Sequence, residues 1–459
     1  MKKGLIHLLL ANMVYLLISI LNSFLLPKFL SVETYAIIKT YTLYIGYAGF
    51  LSLGYADGMY LRYGGGDIEK IEKDEFSSNF KSYVILEIVV SAICLLISAI
   101  IKDFVFMAFA FGSLFVNVIG YYKNLYQAVG EYKLYGKALN YQTILMFALN
   151  ILFMFALESD DASYYIIIQV FTAFWVMIYL SVILNRQISL LKSGRTSLTQ
   201  IWDNVSSGFV LMLGNFSSSI FTSLDRWFVK FLMDSICFAQ YSFAVSLENI
   251  VNVFVTPITI SLYNVFCNNR KTEYVRKIKK MVLLWGCIII AVAFPVELVV
   301  THFLTDYVDA LAIIFPLFGA QAFYAVIKGI HVNIYKAEKK QKRYFIIMFA
   351  MIAVAVITNI IFYLLFNSVW SFALATFATA VFWFIYCEIE TKMLRFNVNE
   401  YLTIICVMVG YFFAASLNSA IVGLGVYCLA LLVSSILFMR DTIKDILSIV
   451  PSYFKKKRV

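Results

Sequence analysis

Residues Asn124–Ala128 read NLYQA, and the chain repeats this pattern 209 positions later as NIYKA at Asn333–Ala337. Further identities lie at the same offset, and these pair Lys133 with Lys342, Tyr135 with Tyr344, Asn150 with Asn359 and Phe153 with Phe362. Apolar sequences match by chance more often than others, because they draw on few residue types. The asparagine, lysine and tyrosine identities argue against chance and indicate an internal repeat.

A second match relates the beginning of the chain to its middle. Leu8–Asn12 (LLLAN) corresponds to Leu211–Asn215 (LMLGN) at an offset of 203, and the same offset places Asn22 on Asp225. The two matches together predict a repeat of a little over 200 residues. Each copy contains six of the long apolar runs described below, and so six membrane-spanning helices. Because six is an even number, both copies have the same orientation, which is the parallel arrangement related by an axis along the membrane normal.

Long apolar runs follow one another through the whole sequence, which is 62% hydrophobic. Each run is close to the ~20 residues that a helix needs to cross a bilayer core. Such runs must be helical, because lipid offers no partner for open backbone groups. We number the runs as spans 1 to 14: Leu5–Leu26, Ala36–Leu61, Tyr83–Ile101, Phe104–Tyr122, Leu139–Leu157, Tyr165–Leu184, Gly208–Met233, Ile236–Leu262, Met281–Phe303, Val308–Val326, Phe345–Phe366, Val369–Cys387, Tyr401–Leu417 and Ala420–Met439.

The spans predict an all-α polytopic membrane protein with 14 transmembrane helices. Two parallel six-helix repeats are expected to surround a central cavity. The N-terminal lobe covers residues 1–200 with spans 1 to 6, and the C-terminal lobe covers residues 201–395 with spans 7 to 12. Residues 396–459 add spans 13 and 14 and a basic cytoplasmic tail. No loop is long enough to fold as a soluble domain.

The distribution of lysine and arginine predicts the orientation. With the N-terminus inside, only Lys28 and Lys102 of the 37 basic residues fall in outside loops, and three more fall within spans. This bias follows the positive-inside rule and places both termini in the cytoplasm. The net charge of +10 is therefore mostly a consequence of topology, and no nucleic-acid partner is expected. The terminal run Lys455–Arg458 is expected to contact anionic lipid headgroups.

Span 7 contains a polar stripe inside an apolar run. Its members recur at spacings of four, three, four and four residues, which places them within about 80° of one another on a helix. They are Asn215, Ser219, Thr222, Arg226 and Lys230. Span 1 has a milder copy of the stripe in Asn12, Ser19 and Ser23, which match Asn215, Thr222 and Arg226 at the offset of 203. We expect both stripes to line one cavity between the lobes.

Charged residues inside spans are costly, at about 2.5–3.5 kcal/mol each on insertion scales, and usually mark a pathway. Arg226, Lys230 and Lys39 are therefore candidate substrate-binding cations. Other interpretations stay open for all three. Arg226 could pair with Asp225 or Glu248 in a purely structural role, and the two lysines could extend towards the membrane surface.

The acidic residues within spans are candidates for ion coupling. Glu248, near the middle of span 8, is the first choice for binding H⁺ or Na⁺, and Asp225 is the second. No metal centre or cofactor is expected, because the seven cysteines form no CxxC motif and resemble small apolar packing residues. The chain also lacks Walker A, HExxH and GxSxG motifs and has very short outside loops, so we expect no enzyme.

Several short motifs resemble those of a known family. They are Leu26–Leu30 (LPKFL), Glu33–Ala36 (ETYA), Gly54–Gly58 (GYADG), Leu61–Tyr63 (LRY), Asp225-Arg226 and Tyr241–Ala244 (YSFA). The chain resembles the polysaccharide repeat-unit flippases of the multidrug/oligosaccharidyl-lipid/polysaccharide exporter superfamily, over its whole length. Ala36 is a minor departure, since many members have glycine after the tyrosine.

The resemblance implies a function in the bacterial plasma membrane. An undecaprenyl-diphosphate-linked oligosaccharide, such as a capsule or O-antigen repeat unit, would pass from the inner to the outer leaflet as two six-helix lobes rock. Membrane lipids and this substrate are the expected partners. Fixed cations suit a diphosphate. Moving about two negative charges outwards also gains roughly 4–5 kcal/mol per 100 mV, so the membrane potential alone could drive export.

Two alternative functions remain from the sequence. A cation-coupled multidrug exporter of the same superfamily would favour an acidic, aromatic cavity over a cationic one. A membrane-embedded polysaccharide polymerase or glycosyltransferase would favour acidic catalytic groups on a sizeable outside loop, and the sequence has no such loop.

Overall fold

The computed structural model describes residues 2–64, 71–129, 131–188, 198–268 and 271–446, and within these ranges every regular element is helical. The first eight helices are α1 (Lys2–Phe29), α2 (Val32–Ile45), α3 (Tyr55–Tyr63), α4 (Lys73–Ile101), α5 (Phe104–Ala128), α6 (Tyr132–Phe155), α7 (Ala162–Ile188) and α8 (Leu198–Leu232). The others are α9 (Ser235–Asn268), α10 (Thr272–Ile290), α11 (Ala293–Phe303), α12 (Leu311–Val326), α13 (Asn333–Ala337), α14 (Gln341–Phe366), α15 (Trp370–Glu390), α16 (Val398–Ala415) and α17 (Ala420–Phe438).

The chain forms two compact units, Met1–Ser223 and Leu224–Val459. The division falls inside α8, so the N-terminal part of this helix packs with the first unit. Within the described residues, ten helical segments are long and apolar enough to cross a membrane. The all-α membrane class is therefore confirmed. The count of 14 spans and the lobe boundaries at residues 200 and 395 stay predictions.

The internal repeat reappears in the helix boundaries. At the offset of 203, α1 and α8 end at Phe29 and Leu232, and α2 and α9 begin at Val32 and Ser235. At the offset of 209, the paired boundaries are the ends of α5 and α13 at Ala128 and Ala337 and the starts of α6 and α14 at Tyr132 and Gln341. The two offsets found in the sequence thus relate helix ends as well as residue types.

Span 2 is not the single helix that its apolar run predicted. α2 ends at Ile45, a short 3₁₀ segment covers Ala48–Ser52, and α3 begins only at Tyr55. Leu53 and Gly54 between them have φ angles of +51° and +86°. Glycine adopts this left-handed region without steric cost, and one such residue is enough to end a helix. Hydropathy does not register the break, because the interrupting residues are themselves apolar.

Glycines let α3 pack directly against α8. A Cβ atom on Gly58 would lie 2.1 Å from the backbone oxygen of Asn204, and one on Gly208 would lie 2.0 Å from the oxygen of Gly54. Gly54 and Gly58 have the small-xxx-small spacing that lets membrane helices approach closely. This contact fixes Asp57, which lies between the two glycines, beside α8.

A buried ion pair joins α10 to α15 in the second unit. Lys279 on α10, with no exposed side-chain surface, donates to Glu388 on α15 and to the backbone oxygen of Leu394 at 2.9 Å. The other oxygen of Glu388 accepts from Phe396 N and from the Tyr401 hydroxyl, at 2.9 and 2.8 Å. The positive-inside count treated Lys279 as a cytoplasmic loop charge, whereas the structure buries it. Loss of one member of such a pair leaves an uncompensated buried charge.

Candidate functional site

A half-open cavity of about 210 Å³ lies within the first unit. Its walls come from the broken span 2, from α4 and α5, and from the N-terminal part of α8. The lining residues are Gly46, Tyr47, Gly49, Phe50, Ser52, Ala56, Asp57, Tyr83, Asn117, Gly120, Asn124, Met212, Asn215, Phe216 and Ser219. The cavity exists where the break in span 2 separates α2 from α3 and leaves room beside α8.

Carboxylate and amide groups form the polar wall of this cavity. Asn215 donates from Nδ2 to Oδ1 of Asp57 at 3.1 Å, and Ser219 donates to the backbone oxygen of Asn215 at 3.2 Å. Asn117 is held by bonds from Nδ2 to Ala48 O at 2.9 Å and to Glu87 Oε2 at 2.8 Å. The oxygens of the two amides and the second oxygen of Asp57 remain available as acceptors.

Asn124 adds a third amide to the polar wall. Its side chain lines the cavity and makes no hydrogen bond or ion pair with any residue that the structure describes. Asn117, Gly120 and Asn124 follow one another at helical spacing on α5 and so share one face. Asn124 therefore offers both a donor and an acceptor to whatever enters.

Aromatic rings form another part of the wall. Phe50 and Phe216 stack with ring centroids 4.0 Å apart and an interplanar angle of 20°. Tyr47 meets Phe216 edge-on at 6.0 Å and is hydrogen-bonded through its hydroxyl to Ser223. The cavity thus combines apolar ring surface with a few fixed polar groups, which is the usual composition of small-ligand sites.

Only part of the predicted polar stripe lines this cavity. Asn215 and Ser219 do, whereas Thr222 is exposed and donates back to its own helix at Ser218 and Ser219. On α1, Ser19 and Ser23 are partly buried, with a 2.8 Å bond from the Ser23 hydroxyl to Ser19 O, and they do not line it. The side chain of Asn12 lies outside the described part of the chain.

Asp225 is the centre of a polar cluster in the second unit. Its Oδ1 accepts from the backbone N–H of Arg226 at 2.8 Å, and its Oδ2 accepts from the Tyr241 hydroxyl at 2.7 Å. The hydroxyl of Thr376 adds a longer contact at 3.4 Å. Nearby on α9, Glu248 accepts from the amide of Gln321. The two candidate coupling acids thus lie in one unit, each held by neutral donors.

Arg226 has a half-buried side chain and no ion pair within 4 Å among the described residues. Its Nε atom is buried and has no hydrogen-bond partner there. Asp225 and Glu248 are close enough to interact with it electrostatically, but neither one binds the guanidinium group directly. The structural pairing considered from the sequence is therefore not formed. A buried donor without a partner is costly, so an added anionic acceptor would find a favourable position here.

The two candidate lysines contact aromatic rings. Lys230 lies over the ring of Phe238, with Nζ 5.1 Å from the centroid, and Lys39 lies over Tyr35 at 5.0 Å. Such contacts stabilise an ammonium group inside a protein by about 0.5–1 kcal/mol or more. Both lysines remain candidates for substrate contact.

The polar stripe of span 7 identifies Asn215 and Ser219 from the sequence, and the repeat contains Asn124. Helical spacing does not identify Asn117, Gln321 or Thr376, which belong to no such stripe. A useful signal was present, because a lone amide within a span needs a partner or a wet surface. The partner itself cannot be read from spacing along one helix.

Comparison with known proteins identifies the fold. No protein-family model and no curated protein matches the sequence. Solved structures do match, and they show that the chain has the fold of a lipid II flippase and of MATE transporters, which is the fold that the sequence resemblance predicted.

Among the matching structures with a TM-score above 0.5 are one flippase and two multidrug transporters. One is the lipid II flippase MurJ in an inward closed conformation, with a TM-score of 0.73 and 15% identity over 95% of this chain and 100% of that chain. The second is an inward-facing multidrug resistance transporter of the MATE family, with a TM-score of 0.56 and 15% identity over 83% and 94%. The third is the MATE multidrug transporter DinF-BH, with a TM-score of 0.51 and 15% identity over 86% and 96%.

Proposed function

We propose that this protein is a lipid-linked oligosaccharide flippase. It would move an undecaprenyl-diphosphate-linked polysaccharide repeat unit from the inner to the outer leaflet by alternating access. The observation that carries the proposal is the guanidinium group of Arg226, whose buried Nε has no partner among the described residues. The likeness to MurJ, a flippase of another lipid-linked substrate, supports this assignment over an enzyme of the polymerase or glycosyltransferase class.

A diphosphate meets the chemical needs of Arg226. The group presents oxyanions that can accept two parallel N–H bonds from a guanidinium fork. Asp225 has its oxygens engaged by Tyr241, Thr376 and a backbone N–H, so it does not compete for the fork. The polyprenyl tail can stay in lipid while the head crosses, and Lys230 and Lys39 are further candidate cations.

Ion coupling is a separate part of the proposal. Asp225 and Glu248 are the candidate sites for H⁺ or Na⁺, because both are acids held within predicted spans. The membrane potential supplies an alternative driving force of roughly 4–5 kcal/mol per 100 mV for two charges. An ion gradient and the membrane potential predict different rates of export for a neutral variant of Asp225.

Asp225→Asn should separate coupling from structure. The amide keeps most of the hydrogen bonds with Tyr241 and Thr376 but removes the charge, so folding should be little affected. If Asp225 binds the coupling ion, export should fall at least tenfold at normal expression and lose its dependence on the ion gradient. Thr376→Val is the matched control, because it removes a 3.4 Å contact and leaves the carboxylate in place. Unchanged export in Asp225→Asn would exclude Asp225 from coupling.

A cation-coupled multidrug exporter is the second candidate function. The cavity of the first unit favours it, because Asp57 lies there beside the stacked rings of Phe50 and Phe216. An acidic, aromatic cavity suits a flat organic cation. The two functions are distinguished in proteoliposomes that contain the purified protein. A flippase moves a lipid-linked diphosphate sugar between leaflets, whereas a drug exporter moves a cationic rhodamine dye against its gradient.

A further inference from the structure

The cavity in the first unit has no role in binding a diphosphate. Its lining residues, all of them in the described part of the chain, include one carboxylate and no lysine, arginine or histidine. We propose that this cavity binds one sugar ring of the translocated headgroup through Asp57, Asn124 and Asn215. The proposal rests on the flippase function and assigns the sugar to a site separate from Arg226.

The polar wall suits a ring that carries several hydroxyl groups. Each hydroxyl both donates and accepts, so it needs donors and acceptors side by side. Asn124 offers both without competition from a described residue, and the Asn215 amide oxygen and one Asp57 oxygen add acceptors. Asn215 is held in place by its bond to Asp57, and Asp57 by the glycine contact between α3 and α8. Asn215 and Asp57 are therefore positioned before the ligand arrives, which lowers the entropic cost of binding.

The apolar wall suits the carbon face of the same ring. Phe50 and Phe216, which stack on each other, line the cavity together with the amides. A sugar ring has C–H groups on one face and hydroxyls around its edge, so it can contact both walls at once. An organic cation would use the rings and Asp57 but would leave the amides of Asn124 and Asn215 without partners.

The size of the cavity points in the same direction. Its volume of about 210 Å³ is smaller than the roughly 300–1,000 Å³ of pockets for drug-sized ligands. One sugar ring matches this volume, and a larger headgroup would extend through the open side of the cavity. The cavity would then recognise a single residue of the repeat unit and leave the others outside.

Two glycines make the cavity testable without disturbing the fold. A Cβ atom on Gly120 meets nothing within 4 Å, and Gly120 lies on the cavity face of α5 one turn before Asn124. Gly120→Leu should fill the cavity, and Asn124→Leu should remove its free amide. Gly425→Leu on α17 is the matched control, because a Cβ there also meets nothing and Gly425 does not line the cavity.

The experiment measures the affinity of the purified full-length protein in nanodiscs for two kinds of probe. The first is farnesyl diphosphate. The second is a set of farnesyl diphosphates that each carry a single glucose, galactose or N-acetylglucosamine. Wild-type protein and the control should bind at least one glycosylated probe about tenfold or more tightly than farnesyl diphosphate. Gly120→Leu and Asn124→Leu should lose this difference and keep the affinity for farnesyl diphosphate.

The possible failures are distinguishable. If no probe binds and Arg226→Ala does not change the rate of export, the flippase function itself fails. If farnesyl diphosphate binds through Arg226 but no sugar strengthens binding, or if the cavity variants keep the full difference, the sugar site is wrong and the flippase function stands. Weaker binding of a rhodamine dye or of Na⁺ in Gly120→Leu, with the sugar difference intact, would assign the cavity to an organic or alkali cation and overturn the proposal.

Discussion

Arg226→Ala should reduce export of the lipid-linked substrate by about 10–100-fold while the protein remains inserted and folded. This range corresponds to the roughly 1.5–3 kcal/mol of a hydrogen bond to a charged group. Folding should tolerate the change, because Nε of Arg226 has no partner among the described residues and no ion pair is lost. Arg226→Lys should retain part of the activity, since it keeps the charge and loses the bidentate fork. The measurement is the rate of polymer export in cells, normalised to membrane-inserted protein.

A matched control for this change is Arg440→Ala, which removes an exposed arginine from the C-terminal region. Its export should equal that of the wild type. Full export by well-expressed Arg226→Ala would show that the guanidinium group does not bind substrate. Lys39 and Lys230 would then be the remaining candidates for the substrate-binding cation.

Gly58→Ala should prevent the first unit from folding. The added methyl group would lie 2.1 Å from the backbone oxygen of Asn204, and neither backbone can move without separating α3 from α8. The expected result is the loss of most monodisperse protein in size-exclusion chromatography of detergent extracts, together with a large fall in melting temperature. The loss should exceed the 1–3 kcal/mol typical of overpacking by side chains, because backbone atoms are involved here.

Gly120→Ala is the control for the glycine prediction. Its methyl group meets nothing within 4 Å, and alanine is favoured over glycine in a helix by about 1 kcal/mol. This variant should be as stable as the wild type or slightly more so. A Gly58→Ala protein with wild-type yield and melting temperature would contradict the close contact of α3 with α8.

Much of the architecture could be predicted from the sequence, because the bilayer restricts what the backbone can do. Apolar runs in lipid must be helical, so the all-α class followed from hydropathy alone. The repeat was visible through pairs such as Asn150 and Asn359, and its offsets reappear in the ends of α1 and α8. Both signals depend on local composition, which a single sequence displays directly.

The details that depend on contacts between helices could not be predicted. The break between α2 and α3 comes from the left-handed conformations of Leu53 and Gly54 inside an apolar run. The burial of Lys279 depends on Glu388, which lies on a different helix. A positive charge near the end of a span is normally interpreted as a cytoplasmic loop charge. Only the position of an acidic partner on another helix shows that it is buried.

The candidate site was accessible from the sequence only in part. Asn215, Ser219 and Arg226 were found because polar residues at helical spacing are conspicuous in a span. The sequence could not indicate that Asn215 meets Asp57, or that the Tyr241 hydroxyl and not the guanidinium group of Arg226 binds the Asp225 carboxylate. Those partners lie on other helices, and three-dimensional packing brings them together.

Reconstitution tests the proposed flippase function directly. The purified protein is placed in liposomes whose inner and outer leaflets both contain a fluorescent, short-chain polyprenyl diphosphate oligosaccharide, and a membrane-impermeant enzyme that removes the label is added outside. Label in the inner leaflet should become accessible much faster with the wild-type protein than with empty liposomes or with Arg226→Ala. Equal rates in all three, with rhodamine dye transported only by the wild-type protein, would contradict the flippase function and establish a drug exporter.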